Sequence, residues 1–456
     1  MVKTKEMDMT QGSIFKKLII CALPLIASNL LQLLFNATDI AVIGMLVPNG
    51  DDAVAAVGSN GPLINLIIGL FVGLSVGSGV ILAKYMGAGD VERANRVVGT
   101  SIFISIFIGL FLAVVGVVFS RTFLVWMKCD EDVLDMATKY LSIYFMGMPV
   151  IMLYNFLASI LRSVGDNMRP LIYLTIGGAL NVILNVFFIT VCNLTVEGVA
   201  IATVASQAFS AVMCFIVVRK SKGYSHFSFK HFKIYKQELV EIIKIGLPSG
   251  IQSCLFSISN VLIQSSVNEL GKAYMTASSV SNQFDAIVYN VGYGVALACM
   301  PFVSQNDGAG RLDRVKRTIV TSISIACVFS IISGVTVILL AQPLLKIMTK
   351  SQEIIEIAKI RLTILCSLYF MCSTMECLSY SMRALGKSTT SMVISLIGSC
   401  VLRIVWLNTI YLLNKTYAMI FIVYPITWVI SINYVLKFGR NRKGDYERYY
   451  RKDTPN

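Results

Sequence analysis

The sequence predicts an all-α integral membrane protein, with twelve transmembrane helices arranged as two pseudo-equivalent six-helix bundles. Three observations predict it. Of 456 residues, 56% are apolar and only 14% charged, with a mean hydropathy of +0.73, whereas soluble domains carry about 25% charged residues. The apolar sequence falls into runs of about 20 residues or more, enough to cross roughly 30 Å of hydrocarbon at 1.5 Å per residue. A set of short motifs is also written twice, half a chain apart.

The runs are 14–45, 53–83, 96–120, 135–161, 168–192 and 196–218, then 239–267, 273–304, 315–341, 354–381, 389–413 and 416–435. The first is too long and too polar-striped for a cleaved leader, so it reads as a span. With the amino terminus in the cytoplasm, 29 of the 39 Lys and Arg fall on the cytoplasmic side, the outer connections and adjoining helix ends hold 9, and Arg403 lies within a span. This asymmetry is the positive-inside pattern and sets both termini in the cytoplasm of a cell-membrane protein. It also accounts for the net charge of +14 without nucleic acid.

The organisation follows in order: a six-helix bundle over 1–218, a basic cytoplasmic linker at 219–237, a second bundle over 238–437, and a basic tail at 438–456 that reads as a membrane-surface anchor. Leu23-Pro24 and Asn36 return as Leu247-Pro248 and Asn260, a shift of 224. Gly87–Gly89, Arg93, Arg96, Arg162, Gly165 and Gly177 return as Gly308–Gly310, Arg314, Arg317, Arg383, Gly386 and Gly398, a shift of 221. Six spans per half is an even number, so the halves are parallel repeats about an axis along the membrane normal. Two such bundles can rock about a central site, which is the geometry of alternating access.

The spans carry polar stripes. In the first, Ser28, Gln32, Asn36 and Asp39 share one helix face, turned to the bundle interior, opposite the apolar Leu30, Leu34 and Val42. Glycine and serine in FVGLSVGSGV of the second serve close packing. The fourth has Asn155, Ser159 and Arg162; the fifth has Asn181 and Asn185. A carboxylate surrounded by amide oxygens suits two jobs: it can bind and release a proton, or it can coordinate Na+ at Asp39, Asn181 and Asn185. Helix-to-helix adhesion is the plainer role for the asparagines, but an ionisable group at that depth costs several kcal/mol and marks Asp39 for function.

The second half has its own set: Asn260 within the stripe Ser253, Ser257, Asn260, Gln264 and Asn268 of span seven, Asp285 in span eight, Glu376 in span ten and Arg403 in span eleven. Glu376 stands where the first half has Asn155. Arg403 demands a partner in lipid; an ion pair with Glu376 or Asp285 would supply it and leave the other acid for ion coupling or substrate. Pro24 and Pro248 read as kinks. The cysteines are scattered, without a C-x-x-C pair, and read as small buried hydrophobes. Both histidines, His226 and His231, lie in the linker, outside any span. GKST at Gly386–Thr389 lacks the glycine and the strand of a phosphate-binding loop, so no ATP site and no cofactor are expected.

The twofold six-span design, the LP near the start of spans one and seven, the GAGD and GAGR loops and the R-x-x-G ends of spans four and ten resemble the multidrug and toxic compound extrusion (MATE) family, over about residues 12–437. The resemblance implies antiport, in which inward H+ or Na+ drives amphiphilic, often cationic, compounds outward. It also implies that Asp39 corresponds to a first-span ion-binding aspartate, Asn181 to a fifth-span asparagine of the same site, and Asn155 to a fourth-span one. Two departures stand out. Some members have an aspartate where this chain has Asn185, and others have a span-seven glutamate where only Ser, Gln and Asn lie near Phe256. A lipid-linked-oligosaccharide flippase of the same broad superfamily is the alternative; it calls for a cationic cavity, whereas here almost all Lys and Arg lie in loops. An enzyme would need clustered His or paired acids at one face, and the acids lie on different helices.

Overall fold

The protein is described by a computed structural model over residues 6–47 and 50–440, all helix and connections with no strand among them. Of the expected anchor at 438–456, residues 441–456 lie outside the described residues. The first half forms α1 (Ile14–Leu46), α2 (Gly50–Ala88), α3 (Val91–Trp126), α4 (Glu131–Met146), α5 (Met148–Ser163), α6 (Met168–Thr190) and α7 (Val196–Lys220). The second forms α8 (Lys236–Glu269), α9 (Lys272–Gly308), α10 (Leu312–Leu339), α11 (Ala341–Met348), α12 (Gln352–Ala384), α13 (Ser388–Ser395), α14 (Leu402–Asn408), α15 (Ile410–Leu413) and α16 (Tyr417–Arg440).

Among the described residues ten helices, counting Ser388–Leu413 as one, are long and apolar enough to cross a membrane, and α4 with α5, taken as one span, makes an eleventh. The remaining expected span is α12, 33 residues long and so about 50 Å, ample for a crossing. The architecture is therefore the expected twelve-helix membrane protein. The fourth expected span, 135–161, is not one straight helix: α4 and α5 meet at 51°. Pro149, at the start of α5, has no N–H to give the preceding turn, and its ring clashes with a continuing helix. Span eleven is also interrupted, with a wider helical turn at Leu396–Val401 and a break at Thr409.

Local sequence explains the ends. Ser13 Oγ accepts from Lys16 N and Asp90 Oδ1 from Arg93 N (2.9 Å), satisfying donors at the starts of α1 and α3. The repeated glycines stop helices: Gly89 (φ 76°) and Gly310 (φ 68°) follow α2 and α9, and Gly165 (φ 84°) and Gly386 (φ 74°) follow α5 and α12. A left-handed residue there closes the last turn, and glycine adopts it without penalty. The repeat is thus written into chain geometry as well as letters.

The described residues pack as two compact units, those within Met1–Cys254, Met300–Thr318 and Ala384–Gly386, and those within Leu255–Cys299, Ile319–Arg383 and Lys387–Asn456. Within the first, a methyl group added to Gly73 of α2 would overlap the backbone of Gly250 in α8. Gly73→Ala is expected to cost about 1–3 kcal/mol through overpacking, read as a lower melting temperature in detergent. Gly58→Ala, in the same helix with nothing within 4 Å of the new methyl, is the control expected to be neutral; equal melting of both variants would count against this contact.

Candidate functional site

The polar stripe of α1 faces a pocket of about 450 Å3, counting the space at its mouth, within the first packing unit. Gln32, Phe35, Asn36 and Asp39 of α1 line it, opposite Gly177, Gly178 and Asn181 of α6. Helical spacing puts these residues on single faces, and Gly178 lets the Phe35 ring lie against α6 where any side chain would overlap it.

Asp39 is held from one side. Asn185 Nδ2 donates to Asp39 Oδ1 (2.6 Å) and to Asn181 Oδ1 (3.3 Å), while Asn181 Nδ2 donates to Thr203 Oγ1 (3.4 Å). Among the described residues no base pairs with Asp39, and its second oxygen accepts no hydrogen bond. Two further acceptors nearby are buried without a donor among the described residues: Asn185 Oδ1, in a side chain fully removed from solvent, and Gln207 Oε1 at the pocket wall. An ionised carboxylate and amide oxygens offer acceptors only, and oxygen donors of this kind hold hard cations. The cluster can therefore take a proton or a small cation. No group of three or more His, Cys, Asp or Glu that would hold a multivalent metal exists among the described residues.

Of the expected first-half residues, Asn36, Asp39 and Asn181 line this pocket, and Asn185 bonds directly to Asp39. Asn155 does not join them: its amide turns back to Ile151 O of its own helix (2.8 Å). The third wall comes instead from α7, through Thr203, Ser206, Gln207 and Ser210, which the stripes read from the sequence do not include. Their three- and four-residue spacing is the same signal that exposed the stripe of α1.

The second-half residues are arranged otherwise than expected. Asp285 does have a basic partner, but it is Arg361, not Arg403. Arg361 Nε and Nη2 reach Asp285 Oδ2 at 2.9 and 2.8 Å. Its Nη1 donates to Ser278 O (3.0 Å) and Oγ (2.7 Å), its Nη2 to Asn282 Oδ1 (2.8 Å), and the guanidinium lies 4.9 Å from the centre of the Phe421 ring. By position Arg361 lies seven residues into run 354–381, near its outer end. Packing against α9, which carries Ser278, Asn282 and Asp285, and against Phe421 buries it. Arg403 forms no ion pair among the described residues; it donates to Ser259 Oγ (3.4 Å) and lies 4.0 Å from the centre of the Tyr424 ring. An aromatic face accommodates a guanidinium through its negative quadrupole, which is how this cation is housed without an acid. Glu376 is buried with no hydrogen bond or ion pair to another described residue, and Asn260 is exposed and bonded to none of the other three.

A family model described as MatE matches the chain twice, over residues 24–187 and 248–408, with starts 224 residues apart. The chain is 30% identical over 399 residues to the probable multidrug resistance protein YoeA of Bacillus subtilis, covering 85% of each. It is 24% identical over 350 residues to the multidrug export protein MepA of Staphylococcus aureus, covering 76% of each. Among solved structures, one described as the outward-facing conformation of a multidrug resistance MATE family transporter superposes with a TM-score of 0.90 at 21% identity, covering 98% of this chain and 99% of that one. A MOP superfamily transporter from Pyrococcus furiosus superposes with 0.89 at 21% identity, covering 97% and 99%. At that identity the superpositions speak to the fold.

Proposed function

Because the chain belongs to the MatE family of multidrug efflux transporters, we propose that it is a secondary active antiporter that exports amphiphilic, often cationic, compounds in exchange for inward H+ or Na+ by alternating access. The observation that carries this reading is Asp39: a carboxylate in a pocket, held by one amide, with an unbonded oxygen and no basic partner among the described residues. Such a group keeps its capacity for an ion, and occupancy by ion or cargo becomes an exchange at one place. Asp39 is the coupling residue, with Asn36, Asn181 and Asn185 completing its oxygen cluster. Glu376, which has no hydrogen bond or ion pair among the described residues and has only the charge of Arg383 acting on it, is the second coupling or substrate-binding acid; Asp285, neutralised by Arg361, is a support for that half. The sequence halves, 1–218 and 238–437, are the bodies that rock, with both termini on the cytoplasmic side.

Among the described residues no Lys or Arg lines the pocket, which supports a cationic cargo over the pyrophosphate-linked cargo of a flippase. The test is uptake of cationic dyes by proteoliposomes under an imposed pH gradient or an imposed sodium gradient, applied separately. One gradient is expected to drive dye movement and the other to be without effect; movement under neither would overturn the antiport reading.

A further inference from the structure

We propose that the linker between α7 and α8 is a docking foot for anionic lipid headgroups at the membrane surface. Residues 219–236 contain six Lys or Arg and no Asp or Glu. Among the described residues one carboxylate reaches the segment from elsewhere: Glu6 accepts from Tyr224 N (3.0 Å), Ser225 N (3.0 Å) and Ser225 Oγ (2.7 Å), which fastens the near end of the linker to the amino-terminal arm. Lys222, Lys230, Lys233 and Lys236 remain exposed, without an ion pair among the described residues.

The far end of the linker lies on the flank of α3, at the edge of run 96–120. A methyl group on Gly99 would overlap the His231 carbonyl, Tyr235 N donates to Thr100 Oγ1 (3.3 Å), and Thr100 Oγ1 donates to Lys233 O (3.4 Å). The Phe232 ring lies 5.3 Å from Phe103, which stacks at 4.4 Å on the exposed Phe107. Gly99, Phe103 and Phe107 are four apart and share one helix face. Phe107 sits well inside the apolar run, so that exposed face is the lipid-facing one, and Phe232 extends its aromatic column down to the boundary. Phe229 (67% exposed) and Ile234 (49%) stand beside it among the lysines.

Aromatic rings at the boundary with flexible ammonium groups next to them form the combination that settles in the headgroup layer, rings in the interface and lysines on phosphate. A basic cluster of this kind selects anionic over zwitterionic lipid. A loop standing free in water would have no gain from exposing the rings.

The test uses the full chain with Phe229→Trp in vesicles of phosphatidylcholine mixed with phosphatidylglycerol. Bromine is carried on the acyl chains of one lipid or the other, and the signal of the three native tryptophans is subtracted with the parent protein. Brominated phosphatidylglycerol is expected to quench the introduced indole about twofold or more better than brominated phosphatidylcholine at equal fraction. Substituting Lys222, Lys230, Lys233 and Lys236 by Gln is expected to bring the ratio to one. Where that variant does not fold, raised salt on the lysine-bearing protein is expected to do the same, because exposed charges are screened. Equal quenching by both lipids, a preference that survives in the variant or in high salt, or no quenching by either, as with a foot in water or under a partner protein, would overturn the proposal.

Discussion

Replacing Asp39 with Asn is expected to leave the protein inserted and folded and to abolish gradient-driven efflux. The two side chains have nearly the same shape, and an asparagine at position 39 can still accept from Asn185 Nδ2, which now makes the 2.6 Å bond. What disappears is the charge. A hydrogen bond or ion contact to a charged group is worth about 1.5–3 kcal/mol, so affinity for the driving ion should fall by about 10–100-fold, and a neutral amide cannot carry a proton at all. Dye efflux from energised vesicles should drop to the level of protein-free controls, while gel filtration and thermal unfolding match the parent. Efflux at the parental rate would remove Asp39 from the mechanism.

The second large effect is structural. Arg361→Met is expected to lose about 3–5 kcal/mol, the cost of stranding a buried carboxylate when its partner is removed. Asp285 is buried, and Arg361 supplies its two close N···O contacts, at 2.9 and 2.8 Å. The chain should then give poor yield or a sharply lowered melting temperature. Adding Asp285→Asn to Arg361→Met should recover most of the loss, since neither charge remains and both side chains are close in volume to the originals. Asp285→Asn alone should be milder, because Arg361 keeps Ser278, Asn282 and the Phe421 ring. A single Arg361→Met variant as stable as the parent would mean that the pair has no structural role.

These two sites divide what was legible from what was not. Asp39 could be found without coordinates because helical periodicity is a local property. Three spacings of three or four residues put Ser28, Gln32, Asn36 and Asp39 on one face, and an acid in an apolar run announces itself. The wall from α7 obeyed the same rule but consists of neutral residues, whose stripe stands out less against an apolar background. Arg361 was not legible for a different reason. Residues near a run's end look solvated when the run is taken as the span, yet α12 extends to Gln352 and carries Arg361 inward beside Asp285. Arg403 was given an acid because charge in lipid requires compensation; the compensation turned out to be a ring and a hydroxyl, which no charge count anticipates.

Composition, run length and repeated motifs by themselves determined that this is a twelve-helix membrane protein written in duplicate, and the glycines that end α2, α5, α9 and α12 were already in the repeat. Those properties depend on hydrophobic length and on residue-by-residue backbone preference, both carried along the chain. Which basic residue meets which acid, that Asn155 turns back on its own helix, and that α7 completes the pocket were decided only in three dimensions. They depend on how helices distant in sequence rotate and approach one another, and on distances of a few ångströms that spacing along one helix does not encode.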